Sequence, residues 1–117
     1  MQYNQGLHLL LNIHSDNKNK LELPNLWLDF VSKQISEFEL TLVGQHAHKF
    51  EEGGFTAIHG LTESHLSIHT WPEFNYCTCD VYLSNYQKDN SEKVKQFGKN
   101  ILSFFESKQF DWQEIKR

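Results

Sequence analysis

The chain has 117 residues, with 11 Lys and Arg against 15 Asp and Glu, so its formal charge is −4 with histidine neutral. This length is typical of one domain. A mildly acidic chain lacks the basic surface that nucleic-acid backbones require, so no nucleic-acid partner is expected. No apolar run approaches the roughly 20 residues of a membrane-spanning helix, and the N-terminus lacks the basic region and cleavage site of a signal peptide. We therefore expect a cytoplasmic protein with no membrane partner.

Two further features concern the redox state and the size of the core. Cys77 and Cys79 are separated by one residue, and we expect no disulfide between them but two reduced, buried thiols. A chain this short supports a single core. An enzyme of this size is therefore expected to share its active site across a dimer interface.

The first half of the chain predicts two strands and a helix. Residues 6–13 form a short apolar segment, which is typical of a strand, and the polar residues 14–20 indicate a loop. Pro24 suits a first helical turn. The following apolar residues recur at helical spacing: Trp27, Val31, Ile35 and Phe38. Residues 39–50 largely alternate and predict a strand, with Val43 out of phase.

The second half predicts three more strands and a second helix. Residues 51–54 form a turn, and strands are predicted at 55–61, 65–71 and 76–83. A helix begins near residues 89–92, with an acid in its first turn. Its apolar face consists of Val94, Phe97, Ile101, Phe104 and Phe105. The tail at 109–117 is assigned to no element.

The order β-α-β-β-β-β-α favours one domain over residues 1–117. Consecutive strands with hairpin-length links imply a largely antiparallel sheet, and two amphipathic helices would cover one of its faces. The predicted fold class is an α/β (α+β) two-layer sandwich, with a largely antiparallel sheet and two helices packed on one face.

The segment 61–73 is chemically unusual, because it contains two histidines, two serines, two glutamates and a tryptophan. Residues 63–73, with the sequence ESHLSIHTWPE, resemble the processing-site motif of the prokaryotic S-adenosylmethionine decarboxylases. These are pyruvoyl enzymes of polyamine (spermidine) biosynthesis. Weaker agreement lies on both sides of the motif, at Gly6, His8, residues 48–50, Tyr76 and Asp80.

The resemblance implies a self-cleaving proenzyme. The Ser64 hydroxyl would attack the carbonyl of Glu63, and the chain would split between them into residues 1–63 and 64–117. Ser64 would become a covalent pyruvoyl group, which forms a Schiff base with the substrate amine and withdraws electrons as CO2 departs. The family's homodimer of processed chains agrees with the size argument.

The same resemblance implies roles for further residues. His69 is the candidate acid or base of processing, and Thr56 supplies a hydroxyl where the family has a serine. Phe50 and Trp71 match aromatic positions that hold adenine, and an aromatic face also attracts a sulfonium cation. Glu73 matches the carboxylate that binds the ribose hydroxyls. For Phe50 and Trp71, ordinary core packing is the alternative.

The chain departs from the family pattern at Asn12, where an acid is expected, at residues 51–53, which replace a proline-containing turn, and at Ser84. Ser84 stands where the family has a cysteine, the expected donor of the proton that returns to the product carbon. A serine hydroxyl is a far weaker acid than a thiol. S-adenosylmethionine is the favoured substrate. The alternatives are a pyruvoyl decarboxylase of ornithine or arginine, or an inactive or metal-binding relative on the same scaffold.

Seven histidines invite a competing metal hypothesis. His46 and His48 would share one strand face, as would His65 and His69, and paired strand histidines can bind transition metals. We predict no metal, because the motif already accounts for the second pair.

Overall fold

The structure is a computed structural model that describes residues 2–117, and it contains one six-stranded sheet. The strands are β1 (Leu7–His14), β2 (Leu42–Lys49), β3 (Phe55–Leu61), β4 (Ser64–Trp71), β5 (Tyr76–Leu83) and β6 (Gln109–Lys116). The helices are α1 (Lys18–Glu22), α2 (Pro24–Glu37) and α3 (Ser91–Phe104), with a 3-10 turn at Pro72–Phe74.

The sheet order is β2-β3-β4-β5-β1-β6, and every neighbouring pair is antiparallel. Strands β2 to β5 follow one another through short links. Strand β1 lies between β5 and β6, although β6 comes last in the chain. The predicted α+β fold with an antiparallel sheet is therefore confirmed.

One face of the sheet is buried and the other is open. Alternate residues of β1, β3, β4 and β5 point into the core, so the strands alternate between buried and accessible positions as a half-covered sheet requires. Helix α2 contacts β2 and β3, while α3 contacts β1 and β5. The predicted helical faces supply core residues, among them Trp27, Val31, Phe97 and Ile101. None of the helices formed by residues 2–117 is long and apolar enough to cross a membrane.

The predicted loop at 14–20 is partly wrong, because the short helix α1 begins at Lys18. The Asn17 side chain accepts a hydrogen bond from the Lys20 amide at 3.2 Å, which is the usual way a polar residue caps a helix start. Only Leu21 of this helix is buried. A single buried residue leaves no periodic pattern in the sequence.

The unassigned tail contains β6, an edge strand paired along the whole of β1. Its side chains are exposed except for Trp112, which packs against the core. Phe110 and Ile115 lie on opposite faces, so the segment lacks the alternation that identifies a half-buried strand.

Strand β2 begins at Leu42, later than predicted. Glu39, just after α2, has a φ of 57°, a left-handed conformation that ends the helix rather than starting a strand. The pairing of β2 with β3 shifts between Leu42 and Gly44. This bulge explains why Val43 is out of phase.

Both cysteines are free and point into the core from β5. Burial raises the pKa of each thiol well above its ordinary value, so neither is a reactive thiolate. The expectation of reduced, buried thiols is confirmed.

Candidate active site

The Glu63–Ser64 bond lies at the turn between β3 and β4. Leu61 and Ser64 are partners across these strands, so Thr62 and Glu63 form a two-residue connection. The side chains of both connecting residues are exposed. The bond expected to break is therefore at an accessible hairpin tip.

Ser84 directly follows β5 and lies beside this tip. Its amide donates a hydrogen bond to Ser64 Oγ at 3.0 Å. Its hydroxyl lies 3.4 Å from Glu63 Oε2 and accepts from the Tyr86 amide at 3.1 Å. An amide donor at a hydroxyl oxygen stabilises negative charge that develops there. The structure thus brings Ser64, Glu63 and Ser84 together.

Thr56 and His69 form a second group. They are partners across β3 and β4, and Thr56 Oγ1 lies 2.8 Å from His69 Nδ1 in a hydrogen bond. Both side chains lie on the open face of the sheet. The hydroxyl and imidazole expected to act together in processing are therefore in contact.

The predicted substrate-binding residues lie near this second group. Trp71 ends β4, with its ring 6.3 Å from that of His69 and stacked on Tyr76 at 6.0 Å. Phe50 follows β2. Glu73 is exposed in the 3-10 turn after Trp71. Neither Phe50 nor Trp71 belongs to the buried core, so simple core packing does not account for them.

The two groups lie at opposite ends of β4. Ser64 begins the strand and His69 is five residues further along it. At the usual rise of an extended strand, this spacing is roughly 17 Å. Within one chain, the structure therefore does not bring His69 and Thr56 to the Ser64 hydroxyl.

A polar cluster on the open face of the sheet carries no predicted role. His8 on β1, His65 and Ser67 on β4 and Asp80 on β5 meet on the open face. His8 Nε2 lies 2.9 Å from Asp80 Oδ2, His65 Nε2 lies 3.7 Å from the same oxygen, and the Ser67 hydroxyl donates to Asp80 Oδ1. The alternation of β4 and β5 could have revealed the part of the cluster formed by His65, Ser67 and Asp80, because it places these residues on one face of adjacent strands.

Hydrogen-bond donors determine the ionisation of Asp80 and the tautomer of His8. Burial raises the pKa of Asp80, but hydrogen bonds from Ser67 and His8 and the nearby His65 outweigh it and leave that pKa below its ordinary value. Arg117 lies 3.2 Å from His8 Nδ1, and a guanidinium can only donate. His8 therefore accepts at Nδ1 and donates from Nε2 to the Asp80 carboxylate.

The same cluster is the best metal candidate, since one ligand atom each of His8, His65 and Asp80 lies within 4.8 Å of the others. However, a metal on His8 Nε2 would displace its proton to Nδ1, towards the Arg117 guanidinium. The residues present therefore fit a hydrogen-bonded network better than a metal centre. His65 and His69 are four residues apart along β4, too far to share one ion.

Comparisons with known proteins identify relatives of this sequence and of this fold. A family model described as S-adenosylmethionine decarboxylase matches residues 7–117. An S-adenosylmethionine decarboxylase proenzyme of Clostridium botulinum (strain Loch Maree / Type A3) is 28% identical over 102 residues, which cover 87% of each chain. One of Persephonella marina is 29% identical over all of this chain and 85% of its own. The crystal structure of the adenosylmethionine decarboxylase from Aquifex aeolicus aligns with a TM-score of 0.86 at 28% identity, covering 99% of this chain and 92% of that one.

Proposed function

Because this chain belongs to the S-adenosylmethionine decarboxylase family, we propose that it cleaves its own Glu63–Ser64 bond and then decarboxylates S-adenosylmethionine in the cytoplasm. Family membership makes it a carboxy-lyase that depends on a pyruvoyl group and acts in polyamine (spermidine) biosynthesis. The site assignments below, and its assembly, are our proposal.

The observation that carries the cleavage proposal is the hydrogen bond from the Ser84 amide to Ser64 Oγ. This donor favours the partly ionised hydroxyl that attacks the Glu63 carbonyl carbon and converts the amide to an ester. Loss of the Ser64 Cα proton then expels the Glu63 carboxylate and leaves dehydroalanine. Addition of water and loss of ammonia give the pyruvoyl group.

These residues fit the pyruvoyl group, because Ser64 is accessible at a chain turn and has an amide donor at its hydroxyl. Once formed, the group supplies a carbonyl that accepts the electron pair left as CO2 departs. Phe50 and Trp71 offer aromatic faces for the adenine and the sulfonium cation, and Glu73 offers a carboxylate for the ribose hydroxyls. This combination suits a nucleoside better than ornithine or arginine.

We propose that the active unit is a homodimer. The spacing of roughly 17 Å between Ser64 and His69 along β4 prevents their contact within one chain. A second copy is therefore needed to bring its Thr56–His69 pair to the first copy's Ser64. The open face, which carries Thr56 and His69, also carries apolar side chains such as Ile58, which is 51% exposed, and none of the helices within residues 2–117 covers it.

A substrate panel tests the proposed activity. Wild-type protein is expected to release CO2 from S-adenosylmethionine and not from ornithine, arginine or lysine. Ser64→Ala is expected to remain folded, uncleaved and inactive, because it lacks the hydroxyl that becomes the ketone. Release of CO2 from ornithine or arginine alone would show that S-adenosylmethionine is not the substrate. Activity of the Ser64→Ala variant would refute the role of Ser64.

A further inference from the structure

The proposed site residues at the end of β4 alternate along the chain with buried residues. Thr70 stands between His69 and Trp71, and Pro72 stands between Trp71 and Glu73. Both intervening residues are buried. Because the backbone is continuous, the contacts of Thr70 and Pro72 determine where the neighbouring site residues are presented.

Helix α1 contacts this segment from the covered side of the sheet. The Thr70 hydroxyl donates to the Leu21 carbonyl at 2.7 Å. Lys18 Nζ donates to the Pro72 carbonyl, which also accepts from the Asn75 amide at 3.1 Å. A carbonyl oxygen has two lone pairs and can accept from both, and the ammonium makes the stronger, charge-assisted bond. Helix α1 therefore holds both residues that support the site.

The turn that carries Phe50 rests on the same two residues. The Phe50 amide donates to the Gly54 carbonyl at 2.9 Å. Gly54 has a φ of 92°, and a Cβ there would lie 2.7 Å from the Thr70 carbonyl oxygen and 2.9 Å from Pro72 Cδ. Glycine permits both this conformation and this close approach. Thr70 and Pro72 thus connect the position of Phe50 with that of Trp71.

Helix α1 is itself anchored away from this segment. The Leu21 side chain is fully buried in the core. Lys20 Nζ donates to the carbonyl of Phe104, the last residue of α3, at 2.7 Å. The Asn17 side chain, which caps α1, also donates to Glu106 at 2.7 Å. The helix is therefore fixed to the core and can hold the 3-10 turn in place.

We propose that Lys18 is a positioning residue of the nucleoside-binding part of the site, and that it acts through the Pro72 carbonyl. This inference rests on the proposed function, which assigns Phe50, Trp71 and Glu73 to the nucleoside. Lys18 keeps the turn from shifting relative to Phe50. Its loss therefore weakens binding of the adenosine part of the substrate, while the chemistry at the pyruvoyl group is retained.

The test uses methylthioadenosine, which has the nucleoside of the substrate but lacks the amino acid and the sulfonium charge. Lys18→Met removes the ammonium and keeps most of the side chain. It is expected to weaken methylthioadenosine about tenfold in calorimetry with cleaved protein. The KM for S-adenosylmethionine should rise by a similar factor, with kcat within twofold. Lys18→Arg retains a charged donor and should bring the affinity to within threefold of wild type.

Two control variants separate this role from a change in charge or a general loosening of α1. Lys33→Met removes an exposed lysine of α2. Lys20→Met removes the bond to Phe104 and leaves the bond to Pro72. Neither control should change the affinity for methylthioadenosine by more than twofold. An equal loss of affinity in Lys18→Met and Lys20→Met would assign the effect to loosening of the helix and overturn the role of Lys18.

The remaining outcomes distinguish the inference from the function on which it rests. Unchanged affinity for methylthioadenosine in Lys18→Met would overturn the inference, while release of CO2 by the wild type would still support the proposed function. A wild-type protein that releases no CO2 from S-adenosylmethionine would overturn both.

Discussion

His59 is a neutral histidine enclosed between α2 and the edge of the sheet. Trp27 Nε1 donates to His59 Nε2 at 3.1 Å, and the remaining ring nitrogen lies 2.9 Å from Gln45 Oε1. Trp27 can only donate, so the ring proton is on Nδ1 and points at the amide oxygen. Both nitrogens are satisfied by the neutral ring, and burial lowers the pKa of His59 from 6.5 to about 4.

This burial predicts acid sensitivity. Because the unfolded chain binds a proton at His59 near pH 6.5 and the folded chain only near pH 4, stability is full above pH 6.5 and falls as the pH drops between these values. The loss from this group is about 3 kcal/mol. Urea unfolding of Ser64→Ala protein at a series of pH values measures it.

His59→Gln in the same background is the control, since Gln keeps an acceptor for Trp27 but does not titrate. Its unfolding free energy should depend less on pH in this interval, whatever its absolute stability. An identical slope in the two proteins would assign the acid sensitivity to other groups.

At the scale of single residues, the sequence identified the chemistry but not its location. It selected Ser64, Ser84, His69 and Thr56 from one motif and its flanks. It could not show that Ser64 and Ser84 lie at one end of β4 while His69 and Thr56 lie towards the other end, because a motif gives the order of residues and not the distances between them. It also left His8 and Asp80 without roles, since their contact depends on β1 lying next to β5.

Helix α3 approaches the sheet closely at Gly98. A Cβ there would lie 2.3 Å from Leu9 Cδ2 and 2.8 Å from the Trp112 ring. Leu9 is fully buried, so its side chain would have to shift against its core neighbours. The absence of a side chain at Gly98 therefore sets the distance between α3 and strands β1 and β6.

Gly98→Ala is expected to destabilise the fold by about 1 kcal/mol, the middle of the net range of about 0–2 kcal/mol. Alanine favours a helix by about 1 kcal/mol over glycine, but the forced overpacking costs about 1–3 kcal/mol. Urea unfolding at matched protein concentration measures the change in the Ser64→Ala background. Gly44→Ala is the control, because a Cβ at Gly44 meets nothing within 4 Å. A Gly98→Ala variant as stable as its parent would contradict the packing argument.

At the scale of elements, strands with clear alternation were predictable to within a residue or two, and those without it were not. Strands β3 and β5 have the predicted limits. Strand β6 was not predicted, because backbone pairing with β1 stabilises it and it has no continuous buried face that would show in the sequence. Helix α1 was not predicted, because only the Asn17 cap and the buried Leu21 distinguish it from a loop.

The whole molecule is one layer of helices on one sheet, and the other face of that sheet is open. One copy contains all the proposed residues, but the length of β4 between Ser64 and His69 keeps it from assembling them. This separation predicts that chains with different defects can complement each other.

Co-production of a Ser64→Ala chain with a His69→Ala chain tests this. In a mixed dimer, the intact His69 of the first chain faces the intact Ser64 of the second, so the His69→Ala chain should be cleaved. Neither variant should be cleaved when produced alone. Different affinity tags identify the chains in the gel. A mixture in which neither chain is cleaved would refute assembly of the site from two copies.

All the proposed chemistry depends on Ser64 breaking its own backbone link and becoming a ketone. The most direct measurement is the mass of freshly produced protein under denaturing conditions. We expect two fragments, residues 1–63 and 64–117. The second should be lighter than a simple hydrolysis product by the mass of ammonia and should react with a carbonyl reagent. A single species at full mass, or a second fragment that begins with an unmodified serine, would contradict it.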